Sequence, residues 1–249
     1  GNDRGVVGLI GLSRAVVEAG AGVGVATDGD ADRLGVVDEK GQYMTTLQVL
    51  PLLALYLLEV RGERGAIVRS HTTSNMLARL GERFGVPVYE TPVGFKYIGN
   101  KMLEVDALLG GEESGGYAFR GHVAERDGIL SALYFLDLMV RRGRTPSQCL
   151  DHLYSLVGPH HYTRQDLTFR AEEREAIRQR LQSATPQSLD GTPVAQRHAN
   201  DGYRFVLADG SWLMVRFSGT EPLIRIYAEG SSPQRASQLV EAGKRLAGL

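Results

Sequence analysis

Three aspartates at alternate positions are the residues of this sequence best suited to chemistry. Asp28, Asp30 and Asp32 lie in residues 27–33, whose sequence is TDGDADR. Carboxylates this close repel one another and need a compensating cation. Because oxygen ligands suit a hard ion, the spacing predicts a divalent cation site, and Mg²⁺ is the favoured ion. A solvated acidic turn is the alternative interpretation, because Asp and Gly are common turn residues.

The residues that flank the acidic segment narrow the kind of cation site. Apolar, β-branched stretches at residues 23–26 and 34–37 predict two buried strands, with the aspartates in the loop between them. Together with Glu39 the aspartates have the spacing of an EF-hand loop, but Arg33 stands where that loop requires glycine. EF-hands are also flanked by helices, so we reject this interpretation. The strand flanks likewise oppose a calcium-binding structural protein.

Composition and charge exclude several broad classes of function. The chain has 249 residues, 43% of them hydrophobic and 23% charged, and a net charge of −1. This balance gives no bulk field that favours nucleic acid or a membrane surface. No apolar run reaches the length of a membrane-spanning helix. Cys149 is the single cysteine, so no intrachain disulfide forms, and we expect a cytoplasmic protein.

Helical and strand patterns alternate along most of the chain. Predicted helices cover residues 12–19, 46–61, 73–84, 97–104, 129–142 and 146–156, and predicted strands cover residues 66–68, 86–89 and 107–109. This alternation is typical of an α/β fold with a mixed or mostly parallel sheet. A boundary at Gly158 and Pro159 precedes four or five short strands with helices on one face, which predict a smaller α+β domain.

Two loops follow predicted strands, where ligands of α/β sheets collect. The first, residues 91–96 (TPVGFK), contains Gly94 and Lys96; the lysine can reach an anion, although a lone loop lysine is usually just solvated. The second, residues 110–117 (GGEESGGY), is rich in glycine, which lets the backbone approach a ligand closely. Its Glu112 and Ser114 suit the vicinal hydroxyls of a sugar, and a plain turn is the alternative. Arg126 either contacts phosphate or caps a loop.

A third motif, residues 216–222 (RFSGTEP), has the composition of a phosphate-binding loop. Arg216 can form forked, charge-assisted hydrogen bonds. Ser218 and Thr220 offer hydroxyls, and Gly219 allows backbone N–H groups to converge on an anion. Arg225 is a weaker addition to the set. A turn with an incidental arginine is the alternative.

These motifs, in this order, resemble those of the α-D-phosphohexomutase superfamily, the phosphoglucomutase and phosphomannomutase enzymes. The resemblance implies that Asp28, Asp30 and Asp32 hold Mg²⁺. It implies that Arg33 contacts the phosphoryl group, and it makes Lys96 a catalytic candidate by position only. Glu112 and Ser114 would bind the sugar, and we add Gly94 and Arg126 to the predicted substrate-binding residues. The phosphate that is not transferred would be bound by Arg216, Ser218, Gly219, Thr220 and Arg225.

Two departures from the family pattern bear on substrate and mechanism. Phosphoglucosamine mutases and some phosphomannomutase/phosphoglucomutase enzymes resemble this sequence but carry a histidine where Gly116 stands. The latter group has a second histidine where Phe95 stands. The pattern GFKYIGNKM together with GEES is closer to that of phosphoglucomutases. Without these histidines the general acid and base remain unassigned.

The resemblance implies three domains: residues 1–43, the C-terminal part of an α/β domain with the metal loop; residues 44–158, an α/β sugar-binding domain; and residues 159–249, an α+β phosphate-binding domain. The parent protein would interconvert hexose 1-phosphate and hexose 6-phosphate, with glucose favoured over mannose, through a phosphoserine and glucose 1,6-bisphosphate. The family's Thr-Ala-Ser-His-Asn-Pro-like serine loop does not occur in this sequence. We therefore expect an N-terminal domain of the same protein as partner, and no turnover by this chain alone. A sugar-phosphate-binding module without catalysis is the alternative.

Overall fold

The computed structural model of the chain describes residues 3–218 and 221–249, with residues 3–8 described by their backbone. It divides into two compact units, Gly1–Gly158 and Pro159–Leu249. The further division after residue 43 stays a prediction. No helix in the described part of the chain is both long and apolar enough to cross a membrane.

The first unit is an α/β structure. Its helices are α1 (Asp3–Ala19), α2 (Thr46–Leu55), α3 (Met76–Phe84), α4 (Phe95–Val105), α5 (Gly128–Arg142) and α6 (Pro146–Val157). Its strands are β1 (Gly24–Thr27), β2 (Leu34–Val37), β3 (Tyr43–Met44), β4 (Ile67–Ser70), β5 (Val88–Thr91), β6 (Leu109–Gly111) and β7 (Tyr117–Phe119). A π-helical turn, Tyr56–Val60, follows α2 directly.

A four-stranded sheet in the order β5-β4-β6-β7 lies at the centre of this unit. β4 pairs in parallel with both β5 and β6, and β7 pairs antiparallel with β6. The carboxyl ends of three neighbouring strands therefore meet at one edge, where ligands of such sheets bind. The apolar helix α2 is buried, as predicted: Leu50, Leu52 and Leu53 are at most 1% exposed, and burial of each contributes about 1.5–3 kcal/mol.

The predicted strands on either side of the aspartates form a separate antiparallel sheet in the order β1-β2-β3. Thr27 pairs with Leu34, so residues 28–33 are the closing loop of a hairpin. β2 is buried, but β1 is an edge strand whose Val25 is 37% exposed. The expectation that both strands are buried is therefore wrong for β1, because only β2 has neighbours on both sides.

The second unit is the predicted smaller α+β structure. Its strands are β8 (His161–Thr168), β9 (Ser188–Leu189), β10 (Thr192–His198), β11 (Tyr203–Leu207), β12 (Trp212–Phe217) and β13 (Leu223–Gly230), and its helices are α7 (Arg174–Ser183) and α8 (Pro233–Ala247). The strands form an antiparallel sheet in the order β8-β13-β12-β11-β10-β9. Alternate strand residues, such as Leu213 and Val215, form a core with the helix residue Leu239. The described strands number six rather than four or five, because the two-residue β9 is too short to show a pattern.

The fold class is confirmed, and several element bounds are corrected. β4, β5 and β6 each begin and end later than predicted, so that Thr91 and Gly111 lie in strands rather than loops. α1 begins at Asp3, within a stretch where no helical pattern was found. β3 and β7 were not predicted, because strands of two and three residues carry no recognisable periodicity.

Candidate functional site

The hairpin loop between β1 and β2 brings the three aspartates together. Ala31 adopts a left-handed conformation with φ of 59°, and its N–H donates to the carbonyl of Asp28 at 3.1 Å. The backbone N–H of Arg33 donates to Asp28 Oδ1 at 3.2 Å. As a result one carboxylate oxygen from each of Asp28, Asp30 and Asp32 lies within 4.8 Å of the others. The predicted cluster of oxygen donors is therefore preformed.

Asp32 is the least exposed member of this cluster. Its Oδ1 is buried and accepts no hydrogen bond from any residue that the structure describes. Burial raises the pKa of Asp32, and repulsion by Asp28 and Asp30 adds to the rise, while the guanidinium of Arg126 opposes it. A buried carboxylate oxygen without a donor is costly unless a cation compensates it. The residues present therefore fit a hard divalent ion such as Mg²⁺.

The loop between β6 and β7 carries the predicted sugar-binding residues. The side chain of Glu112 is 8% exposed, and Ser114 Oγ donates to Glu112 Oε1 at 2.6 Å. Burial raises the pKa of Glu112. Gly115 turns the chain with φ of +94°, and a Cβ there would lie 3.1 Å from the carbonyl oxygen of Leu34. Glycine is required at this position, because the chain turns sharply there and its backbone lies against β2.

Arg126 connects the hairpin loop that carries the three aspartates (the acidic hairpin) to the loop between β6 and β7. Its Nη2 lies 2.7 Å from Asp32 Oδ2, and its Nη1 lies 3.4 Å from Glu112 Oε1. The guanidinium stands 5.6 Å from the centre of the Phe95 ring. A Cβ at Gly116 would lie 2.2 Å from Arg126 Cδ, so the arginine stem fills the space beside that glycine. Asp32, Glu112 and Arg126 thus form one connected group.

The remaining predicted residues of the first unit lie in different settings. Arg33 Nε lies 3.7 Å from Asp28 Oδ2 and 3.8 Å from Asp32 Oδ1, beside the clustered carboxylates. Gly94, with φ of 127°, precedes α4. Lys96 lies in the first turn of α4 rather than in a loop, and its Nζ stands 4.8 Å from the ring centre of Tyr97. The roles predicted for Gly94 and Lys96 stay predictions.

A hydroxyl-rich segment, residues 70–73 at the end of β4 and in the following loop, was not predicted to belong to the site. Ser70 Oγ and Thr72 Oγ1 both donate to Glu113 Oε2, at 3.2 Å and 2.5 Å. Glu113 stands between Glu112 and Ser114 in sequence. Its partners come from a segment with no recognisable motif. The signal in the sequence was positional: the segment follows a parallel strand, where ligand-binding loops collect.

The phosphate-binding motif begins in a strand. Arg216 lies in β12, opposite Arg225 of β13, so the first residues of the motif belong to the strand and only the later ones leave it. Arg216 Nε donates to Asp201 Oδ1 at 3.1 Å, and Arg225 Nε lies 3.7 Å from Asp166 Oδ2. Ser218 follows the strand, and its N–H donates to the carbonyl of Leu223 at 2.8 Å. Two members of the predicted set, Gly219 and Thr220, lie outside the described residues.

Arg216 also lines a pocket of about 240 Å³ in the second unit, together with Arg178, Asp201, Tyr203 and Phe217. Sequence reasoning missed Asp201, which lies in the β10–β11 connection and meets Arg216 only through the pairing of the strands. Arg174 Nη2 donates to the carbonyl of Ser218 at 3.0 Å, and its guanidinium stands 5.0 Å from the Phe217 ring centre. Positively charged arginine side chains therefore lie around the first residues of the motif.

Comparison with known proteins finds a family match for each of the two units. Residues 47–157 match the family model described as phosphoglucomutase/phosphomannomutase, alpha/beta/alpha domain III, and residues 169–244 match the model of the C-terminal domain of the same family. A phosphoglucomutase/phosphomannomutase of Thermococcus kodakarensis is 33% identical over 238 residues, which cover 96% of this chain and 50% of the relative. A phosphoglucosamine mutase of Carboxydothermus hydrogenoformans is 30% identical and is covered over 48% of its length.

A solved structure agrees with these matches. The crystal structure of a putative phosphomannomutase from Thermus thermophilus superimposes with a TM-score of 0.75 at 35% identity, covering 91% of this chain and 46% of that one. The chain thus spans about half the length of the curated relatives it matches. With two successive domain models matched over most of its residues, this chain belongs to the phosphoglucomutase/phosphomannomutase family of phosphohexomutases.

Proposed function

We propose that this chain supplies the metal-, sugar- and phosphate-binding residues of a Mg²⁺-dependent enzyme that interconverts hexose 1-phosphate and hexose 6-phosphate. The observation that carries the proposal is the connected group of Asp32, Arg126 and Glu112. In this group Arg126 connects Glu112, the proposed sugar ligand, to a cluster of oxygen donors suited to Mg²⁺, and this supports the proposal. A phosphoryl-transfer enzyme needs both, because it must hold a cation close to a bound sugar phosphate.

The chain's own residues have separable roles in this proposal. Asp28, Asp30 and Asp32 hold the ion, which when bound would act as a Lewis acid on a phosphoryl oxygen. Glu112 accepts hydrogen bonds from sugar hydroxyls, which its ionised form alone can do with both oxygens. Arg33 and Arg126 are fixed cations beside the carboxylates and offset negative charge during transfer.

In the second unit, Arg216 is the proposed anchor for the phosphate that stays on the sugar. Its Nε is occupied by Asp201, which fixes the orientation of the guanidinium. An arginine has five N–H donors in a planar fork, so the remaining donors suit a phosphate. Ser218, Gly219, Thr220 and Arg225 complete the proposed phosphate-binding set.

Glucose phosphates are the favoured substrates, and mannose phosphates the second candidates. Relatives of this chain include phosphoglucosamine mutases as well as phosphoglucomutase/phosphomannomutases. The motif pattern supports glucose, together with Gly116, whose neighbouring space Arg126 fills. Glu112 and Ser114 would hold hydroxyls that glucose and mannose share, so these two residues do not separate the epimers.

Titration calorimetry with the 249-residue chain tests the proposal. We expect it to bind Mg²⁺, and to bind glucose 6-phosphate more tightly than inorganic phosphate. Asp30→Asn should weaken Mg²⁺ binding without changing phosphate binding, and Glu112→Gln should weaken sugar-phosphate binding only. Asp151→Asn, in an exposed position on α6, is the matched control. Equal Mg²⁺ affinity of Asp30→Asn and the parent chain would remove the metal assignment, and failure to bind any hexose phosphate would remove the function.

A further inference from the structure

Glu113 is an acidic residue in the proposed sugar-binding loop that the proposed function leaves without a role. Its neighbours Glu112 and Ser114 contact each other through their side chains. Glu113 instead contacts Ser70, the last residue of β4, and Thr72, in the loop that follows. The three consecutive residues therefore present side chains to two different sets of partners: one pair for a ligand, and one carboxylate for the protein.

The partners of Glu113 are buried hydroxyls. Ser70 and Thr72 are 0% exposed, and their Oγ atoms lie 3.2 Å from each other as well as within reach of Glu113 Oε2. Within the described part of the chain, Glu113 has no Lys, Arg or His within ion-pair distance. A half-buried carboxylate held by hydroxyls alone depends on them for its stabilisation, because hydrogen bonds to an ionised group contribute about 1.5–3 kcal/mol each.

The backbone around Glu113 is held as well. Thr46 Oγ1, at the start of α2, donates to the carbonyl oxygen of Glu113 at 2.6 Å. The N–H of Leu34 donates to the carbonyl of Gly115 at 3.0 Å, and the N–H of Gly115 donates to the carbonyl of Glu112 at 3.2 Å. A ligand-binding loop fixed from β4, α2 and β2 together cannot adjust one residue without the others.

From this arrangement we infer that Glu113 is a positioning residue: its carboxylate, bound by Ser70 and Thr72, sets the orientation in which Glu112 and Ser114 meet the sugar hydroxyls. The inference rests on the proposed function and deepens it, since it assigns the hydroxyl-rich segment at the end of β4 to the same site. It also gives the buried hydroxyls of Ser70 and Thr72 a role.

The test compares variants that remove or preserve one oxygen. Thr72→Val removes the hydroxyl at nearly constant volume, Thr72→Ser keeps it, and Glu113→Gln removes the charge. Glu104→Gln, an exposed glutamate of α4 that pairs with Lys101, is the matched control. We expect Thr72→Val and Glu113→Gln each to weaken glucose 6-phosphate binding by about tenfold, because the first removes one hydrogen bond to a charged group and the second removes the charge itself. Thr72→Ser and Glu104→Gln should bind like the parent chain.

Further readouts separate positioning from a general loss of structure. Inorganic phosphate and Mg²⁺ affinities should stay unchanged in both weakened variants, because neither ligand depends on the orientation of Glu112. The double variant should lose less than the sum of the two single losses, because Thr72 and Glu113 contact each other directly. Amide hydrogen exchange at Glu112 and Gly115 should become faster, while exchange in α2 stays at the parent rate.

The possible failures can be told apart. If the parent chain binds no hexose phosphate, the proposed function fails, and hydrogen exchange alone then decides whether Glu113 fixes the loop. If the parent chain binds glucose 6-phosphate and Glu113→Gln binds it equally well, the positioning role is wrong. Equal loss in Thr72→Ser and Thr72→Val would also contradict it, because the retained hydroxyl would then be irrelevant.

Discussion

Replacing Arg126 by methionine removes the charge that joins the acidic hairpin to the sugar-binding loop. Methionine keeps an unbranched stem for the space beside Gly116 and the face of Phe95, so packing is largely conserved. What is lost is the partner of Asp32 at 2.7 Å and of Glu112 at 3.4 Å. The variant therefore leaves two carboxylates of low exposure beside Asp28 and Asp30 without their shared counter-ion.

The size of the effect follows from the burial of the partners. Removing one member of a fully buried ion pair costs about 3–5 kcal/mol, whereas exposed pairs contribute about 1 kcal/mol or less. The side chains of Arg126, Asp32 and Glu112 are 24%, 17% and 8% exposed. Between these limits, and with solvent screening, we expect Arg126→Met to lower the free energy of unfolding by about 2 kcal/mol at neutral pH.

This loss should depend on pH with a defined sign. Burial already raises the pKa of Asp32 and of Glu112, and Arg126 opposes the rise at both. Without Arg126 both pKa values rise further in the folded state, so the folded chain binds more protons than the unfolded chain. Stability of the variant relative to the parent then increases as the pH falls through the raised pKa values. We expect the deficit to shrink between pH 7 and pH 5.

Mg²⁺ provides a second readout of the same charge. A cation at the acidic hairpin compensates Asp32 directly, so saturating Mg²⁺ should stabilise Arg126→Met more than it stabilises the parent chain. Urea unfolding at pH 7 and pH 5, with and without Mg²⁺, measures both effects. Arg141→Met, which removes an α5 arginine that is 57% exposed and paired with Asp137, is the control. A deficit that is independent of both pH and Mg²⁺ would refute the electrostatic role and leave Arg126 as a packing residue.

Three further predictions concern other parts of the chain. Arg216→Ala should weaken glucose 6-phosphate binding by about 1.5–3 kcal/mol, the contribution of a charge-assisted contact, and unchanged affinity by calorimetry would contradict the assignment of residues 216–222. Although burial opposes the shift, hydrogen bonds from Ser147 lower the pKa of Glu39. The ionised carboxylate therefore stabilises the fold above pH 4.5, and this stabilisation is lost as the pH falls through the lowered pKa. Glu39→Gln should lack this pH-dependent stabilisation when urea unfolding is compared at pH 7 and pH 3. The 249-residue chain should bind hexose phosphates without turnover in a coupled assay with Mg²⁺ and glucose 1,6-bisphosphate, and turnover abolished by changing one of its own serines would identify a nucleophile not recognised in the sequence.

The parts of the site that could be predicted are those built from neighbours in sequence. The three aspartates share one hairpin loop, and a loop between two apolar stretches is visible in the sequence as a local pattern. Glu112 and Ser114 likewise meet within one turn. The fold class followed from the alternation of helical and strand patterns, which reflects burial along each element and needs no knowledge of pairing.

The contacts that were missed depend on how strands pair. Arg126 meets Asp32 because β7 lies beside β6 and Arg33 forms a bridge with Gly116, and no local pattern encodes that bridge. Asp201 reaches Arg216 through the pairing of β11 with β12. Residues 216–222 were treated together as one phosphate-binding loop, whereas the strand continues through the first two of them.

The arginine stem beside Gly116 limits which residues can stand at position 116. A side chain at position 116 would collide with Cγ and Cδ of Arg126, at 2.6 Å and 2.2 Å from the new Cβ. These atoms are close to the arginine backbone, so the whole side chain would have to leave and would lose Asp32 and Glu112. A side chain at position 116 and the observed position of the Arg126 side chain are therefore mutually exclusive.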